Sequence, residues 1–291
     1  MMAKHTPHGK GIVKWVSPQW LMDHLSDESL TILDAQPNVH DYIIRHIPTA
    51  VYFNELMIHA PVNGRPAQYV PPAAFESIAR RTGIRSDRPV VVYTGKGAFK
   101  GWGDGLEQSA VAYALARFGH PDVYILDGGL EQWLVEGHPV SKAYPDVAES
   151  DFTVALQRDL FLTYEDFKAI RDQEDVILLD VRPPKPYLTQ SMWPLPGHIP
   201  GAINVPWDSF YHPENPRSLK SDDEIQAIVA QKGLVPDKTI VCSCGTGRKA
   251  TLVFLLLRWY LGFPKVLLYE GSFTEWSSYP DNPTVTGPNP R

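Results

Sequence analysis

The chain is written twice, and that internal repeat is the strongest constraint on its fold. In the first half, Leu30–Thr31–Ile32–Leu33–Asp34 leads to His46–Ile47–Pro48–Thr49–Ala50–Val51. In the second, Val176–Ile177–Leu178–Leu179–Asp180 leads to His198–Ile199–Pro200–Gly201–Ala202–Ile203. Pro89–Val90–Val91–Val92–Tyr93–Thr94–Gly95 then matches Thr239 through Gly245, and Gly119–His120–Pro121 matches Gly262–Phe263–Pro264. Finally, Leu126–Asp127–Gly128–Gly129 with Trp133 matches Tyr269–Glu270–Gly271–Ser272 with Trp276. Landmarks that recur in one order require two copies of a single domain, and 291 residues suffice for two hydrophobic cores.

Within each copy, β-branched apolar runs alternate with helical patterns. This predicts an α/β fold of two similar domains, each a mostly parallel sheet flanked by helices. Ser17–Pro18 reads as an N-cap followed by proline at the first helical position, and Ser221 with Glu224 as a capping box. Gly83 and Gly233 stand where helices stop. The expected division is a first domain over 11–138, a connector over 139–151, a second domain over 152–280 and a loose Pro/Gly/Asn-rich tail over 281–291.

The copies differ most in one loop. Thr239–Ile240–Val241–Cys242 reads as a buried strand and Ala250 to Leu261 as an apolar helix. Between them lie Cys244, Gly245, Thr246, Gly247, Arg248 and Lys249. A glycine-bearing loop that opens a helix aims backbone N–H groups at one point and makes an anion nest. A thiol there is favoured as thiolate by the helix N-terminus and by the two cations, which makes Cys244 a candidate nucleophile. Taken alone Cys244 could be a buried inert cysteine, but a core position has little use for two glycines and two charges beside it. Cys242 lies within the strand and reads as packing. The first copy has Thr94 in place of Cys244, so this domain is expected to be inactive. It also carries seven more residues within Gly95–Glu107, among them Lys96, Lys100 and Trp102.

Two cysteines are too few for a disulfide framework or a structural zinc, and no metal or cofactor is expected. A formal charge of −6 argues against a general nucleic-acid binder, so the positive loop suits a small anion. No segment is long and apolar enough for a membrane span; Arg258 ends the run Leu252–Leu257. Met1 to Gly11 has no apolar signal core, and the expectation is a cytoplasmic monomer.

The sequence resembles the tandem-domain rhodaneses, the thiosulfate and 3-mercaptopyruvate sulfurtransferases, over nearly its whole length. The resemblance rests on Asp180–Val181–Arg182, Gly197–His198–Ile199–Pro200–Gly201–Ala202, Cys244–Gly245–Thr246–Gly247, and the stretch from Glu270–Gly271–Ser272 to Trp276. It implies that Cys244 takes a sulfane sulfur as a persulfide and passes it to cyanide, a small thiol or a protein thiol. It also implies that Arg182 binds the oxygens of a small anionic donor, the alternative being a salt bridge near the strand end. Loop residues Gly245, Thr246, Gly247, Arg248 and Lys249 would complete the donor site, Asp180 would fix local backbone, and His198 would be structural. Cys-Gly-Thr-Gly is similar to the mercaptopyruvate type, whose loop begins Cys-Gly-Ser-Gly and continues Val-Thr. Arg248 and Lys249 replace that neutral pair, and Lys185, Pro186 and Tyr187 stand near where that type has a second arginine. Two extra cations suit a dianion, so thiosulfate is the expected donor and mercaptopyruvate the alternative. A Cys-based dual-specificity phosphatase, which shares this fold, would need arginine at 250, where the chain has Ala250. A non-catalytic sulfur carrier or interaction module would not need an activated cysteine.

Overall fold

Each copy places its cysteine-equivalent loop at the end of the central strand of a five-stranded parallel sheet. The structure, a computed structural model, describes residues 7–99, 101, 103–189 and 192–291. Lys100 and Trp102, singled out above, lie outside the described residues. The first copy forms β1 (Val13–Val16), α1 (Pro18–Asp23), β2 (Thr31–Asp34), α2 (Val39–Ile44), β3 (Val51–Tyr52), the hairpin β4 (His59–Val62) and β5 (Arg65–Tyr69), α3 (Pro72–Arg81), β6 (Val90–Tyr93), α4 (Leu106–Arg117), β7 (Val123–Leu126) and α5 (Gly129–Val135). The second forms β8 (Phe161–Leu162), α6 (Tyr164–Ile170), β9 (Val176–Asp180), α7 (Pro184–Leu188), β10 (Ile203–Asn204), the hairpin β11 (Tyr211–His212) and β12 (Asn215–Leu219), α8 (Asp222–Gln231), β13 (Thr239–Ser243), α9 (Arg248–Leu255), β14 (Val266–Tyr269) and α10 (Ser272–Trp276).

The strand orders are β1-β7-β6-β2-β3 and β8-β14-β13-β9-β10, every neighbour pair parallel, so the two sheets are the same object built twice. Asp34 pairs in register with Tyr93 and Asp180 with Ser243. Thr94 and Cys244 therefore leave their central strands at equivalent points.

The capping signals act as read. The Ser17 side chain accepts from Trp20 N at 3.1 Å with Pro18 opening the helix, and Ser221 and Glu224 cap each other reciprocally. Gly83 and Gly233 follow α3 and α8 at φ +71° and +66°, the left-handed region that suits glycine. Aromatic side chains fill both cores: Trp133 and Tyr93 in the first, Phe167, Tyr269 and Trp276 in the second, where the Phe167 and Tyr269 rings stack at 4.2 Å.

Three boundaries differ from the sequence reading. The chain divides into two compact units, the first comprising the chain through Ala60 with Tyr69–Gln157 and His212–Leu219, the second Pro61–Gln68, Arg158–Tyr211 and Lys220–Arg291. Phe152, expected to open the second domain, belongs to the first. It is buried against Phe75 and His120, its carbonyl accepts from Arg80 Nε at 2.8 Å, and Ala155 and Gln157 continue that pairing on Phe118 and Arg117. The tail expected to lie loose is hydrogen-bonded to the second unit. His198 and Val285 exchange both backbone bonds, Gly287 N donates to Leu188 O at 2.7 Å, and Gly201 N donates to Pro290 O at 2.6 Å. Finally, α9 starts at Arg248, not Ala250, and gives way to a π-helical turn over Leu256–Tyr260. That turn absorbs one extra residue. The seven-residue difference between the copies is thus a net figure. Thr94 to Gly105 is eight residues longer than Cys244 to Gly247, and the π turn returns one.

Candidate active site

Four residues, Cys244 to Gly247, connect β13 to α9 and bring the sequence-predicted site residues together. A cavity of about 430 Å³ is lined by Cys244, Gly245, Thr246, Arg248 and Lys249 from this loop and helix, and by Arg182, Pro183, Lys185 and Pro186 after β9. Met192 and Trp193 complete its wall. Cys244 is 1% exposed, so its access to solvent runs through this cavity. Cys242 is fully buried within β13, where burial, reinforced by nearby Cys244, pushes its thiol pKa well up. It stays protonated at neutral pH.

The loop is clamped from two sides. Cys244 N donates to Ser272 Oγ at 3.1 Å, while the Cys244 and Gly245 carbonyls accept from Phe273 N at 3.0 Å and Thr274 N at 2.8 Å. Ser272 holds φ +49°, and its hydroxyl also donates to Tyr269 O. On the other side the Trp193 ring, anchored by its Nε1 to Thr274 Oγ1 at 2.8 Å, lies against Gly245. A Cβ at 245 would stand 2.3 Å from that ring, so only glycine fits. Gly247, at φ +84°, is the αL residue that turns the chain into α9.

Arg182 forms the salt bridge given as the alternative reading for it. Its guanidinium pairs with Asp180, which also accepts from Arg182 N at 3.0 Å, and Nη2 donates to Gly197 O at 2.7 Å. The group is 1% exposed and lies 4.1 Å from the Phe273 ring centroid and 5.2 Å from that of Trp193. Nη1 remains buried with no hydrogen-bond partner among the described residues. Such an orphan donor beside a cavity is unfavourable until an acceptor arrives. Arg248 and Lys249 occupy the first turn of α9, which has no acidic residue there. Cations at the positive end of a helix cost about 0.3–1 kcal/mol each. Lys249 Nζ also stands over the Trp207 ring at 5.6 Å. His198 is buried on Tyr187, ring to ring at 3.7 Å, with Nδ1 on Tyr187 O. It is not among the residues lining the cavity.

The corresponding place in the first unit is occupied by the chain itself. The Glu107 carboxylate accepts from Gly105 N at 3.1 Å, Asp104 N at 3.3 Å and Thr94 Oγ1 at 3.3 Å, and Asp41 accepts from Ala98 N and Phe99 N. The long loop's amides are thus satisfied by internal carboxylates. Thr94→Cys should therefore create no second reactive thiol. Alkylation by iodoacetamide should label the variant no more than wild type, and an additional label would refute the plugging of this site.

Asp34, the counterpart of Asp180, has Gln36 where Asp180 has Arg182. With Tyr93 and Gln36 as its partners and no ion-paired Lys or Arg among the described residues, burial pushes its pKa up to about 6. The folded state then binds this proton more tightly than the unfolded chain, so its ionisation costs stability as pH rises through about 4 to 6. Asp34→Asn should widen its melting-temperature advantage over wild type across that window and hold it level above. A difference independent of pH would contradict this.

The family model for the rhodanese-like domain matches residues 17–136 and again 163–279. The chain belongs to the rhodanese family. Among its rhodanese relatives, a protein of Synechococcus elongatus provisionally named thiosulfate sulfurtransferase is 33% identical over 98% of this chain and 88% of its own. The 3-mercaptopyruvate sulfurtransferase of Escherichia coli K12 is 30% identical over 92% of this chain and 96% of its own. The crystal structure of SseA from Escherichia coli, a 3-mercaptopyruvate sulfotransferase with the rhodanese fold, superposes with a TM-score of 0.76 at 28% identity. It covers 89% of this chain and 98% of that one.

Sequence reasoning missed Trp193, Met192 and Thr274 as parts of this rhodanese site. Trp193 sits in a Pro-rich stretch without periodicity, and only the fold brings it onto Gly245.

Proposed function

We propose that this rhodanese is a sulfurtransferase that moves a sulfane sulfur from thiosulfate through a Cys244 persulfide to cyanide or a thiol. The observation that carries the reading is convergence: the thiol of Cys244, the unpartnered Nη1 of buried Arg182, and the cations Arg248 and Lys249 serve one cavity. The Cys244 thiolate attacks the outer sulfur of thiosulfate, the S–S bond breaks, and sulfite leaves with the electron pair. The persulfide anion remains at the mouth of α9, whose first-turn N–H groups have no acceptor within the helix and favour a negative charge. Arg182, Arg248 and Lys249 hold the donor's oxygens. An acceptor nucleophile then takes the outer sulfur and returns the thiolate.

The names of the relatives support both donors, and Gly245–Thr246–Gly247 keeps mercaptopyruvate as the second reading. Intact mass after thiosulfate, and separately after mercaptopyruvate, tests the proposal: a gain of one sulfur is expected, and none from either donor refutes it. Donor choice is read from Arg248→Val with Lys249→Thr. Each lost charge-assisted contact is worth roughly 1.5–3 kcal/mol, so the ratio of kcat/KM for thiosulfate over mercaptopyruvate should fall about tenfold or more. A level ratio would remove charge as the selector.

A further inference from the structure

Cations and the Cys244 loop make up only part of the cavity lining. The rest of the wall is Pro183, Pro186, Met192 and Trp193, and nothing in the donor chemistry uses it. Met192 is 89% exposed at this wall, an unusual place for a large apolar side chain, while Trp193 is fixed beside it by Thr274. The cavity, about 430 Å³, lies within the size range of sites for small organic molecules. A water takes roughly 30 Å³, and cyanide, with two heavy atoms, would fill little more than that.

From this wall we infer an acceptor subsite in which Met192 and Trp193 receive the carbon skeleton of a small organic thiol, and these two residues set the enzyme's preference for such thiols over cyanide. The inference rests on the persulfide reading above. The thiol loses its proton to solvent, and its thiolate attacks the outer sulfur of the Cys244 persulfide. A new S–S bond forms to the acceptor, the Cys244 Sγ–S bond breaks, and the electron pair returns to Cys244 as thiolate. Apolar carbon against Met192 and Trp193 is removed from water as the sulfur is brought in line. The same contact gives cyanide nothing.

The test compares wild type and Met192→Ala with thiosulfate as donor and three acceptors: cyanide, 2-mercaptoethanol and phenylmethanethiol. Burial of a methionine side chain is worth enough to change a rate about tenfold. Wild type should prefer phenylmethanethiol to 2-mercaptoethanol, and Met192→Ala should lower kcat/KM for phenylmethanethiol about tenfold relative to cyanide. Equal change for all three acceptors, or no preference in wild type, overturns the subsite. Failure of wild type to gain sulfur by mass would instead overturn the persulfide reading, so the two failures are distinct. Because Met192 is so exposed, its truncation leaves the fold intact.

Discussion

Cys244→Ser is expected to abolish both the sulfur adduct and turnover, by at least about 10³-fold, the scale on which loss of an essential nucleophile is felt. A serine hydroxyl is not ionised near neutral pH and forms no persulfide. Cys242→Ser should keep most activity, since Cys242 is buried in β13 with its thiol pKa pushed up. Its cost should be structural: an unpaired hydroxyl in a sheet core destabilises by roughly 1–3 kcal/mol. Cys242→Ala, which adds no hydroxyl, separates packing from chemistry. Intact mass and steady-state rates on all three variants decide the matter, and a dead Cys242→Ala would move the site.

The second large effect is expected at Arg182. Arg182→Met leaves the buried Asp180 carboxyl without its cation, which typically costs about 3–5 kcal/mol. It also removes Nη1, the donor proposed above for the substrate's oxygens, which has no hydrogen-bond partner among the described residues. Arg182→Lys keeps the charge but not the fork that spans Asp180 and Gly197, so it should recover only part of either loss. Combining Arg182→Met with Asp180→Asn should restore much of the stability without restoring the KM for thiosulfate. Denaturant unfolding and KM are the two measurements. A single variant that unfolds like wild type would show that the pair is not holding the end of β9.

The parts legible in the sequence were those written in local order. The repeat fixed the two matching sheets, the Ser17 and Ser221 caps marked true helix starts, and the cysteine–glycine–cation run marked the loop that closes the cavity. The rest depended on residues distant in the chain. Phe152 reads as the start of a domain until Phe75 and His120 surround it, and the tail looks free until Val285 meets His198. Arg248 and Lys249 read as loop residues because the apolar run begins only at Ala250, yet α9 begins with them. Neither Trp193 on Gly245 nor Glu107 on the first unit's loop has a periodic signature, because each acts through a non-local contact.

The Glu107 carboxylate works as a lock on the first unit's loop. Installing thiol chemistry in the first unit would take a cysteine at 94 and the departure of Glu107 together. A cysteine alone would face a fixed negative charge, which opposes the thiolate it would need. Loss of the carboxylate alone would leave the Asp104 and Gly105 amides without their acceptor and gain no nucleophile. Each single change is worse than its starting point, so a first-unit site could be built only by making both together.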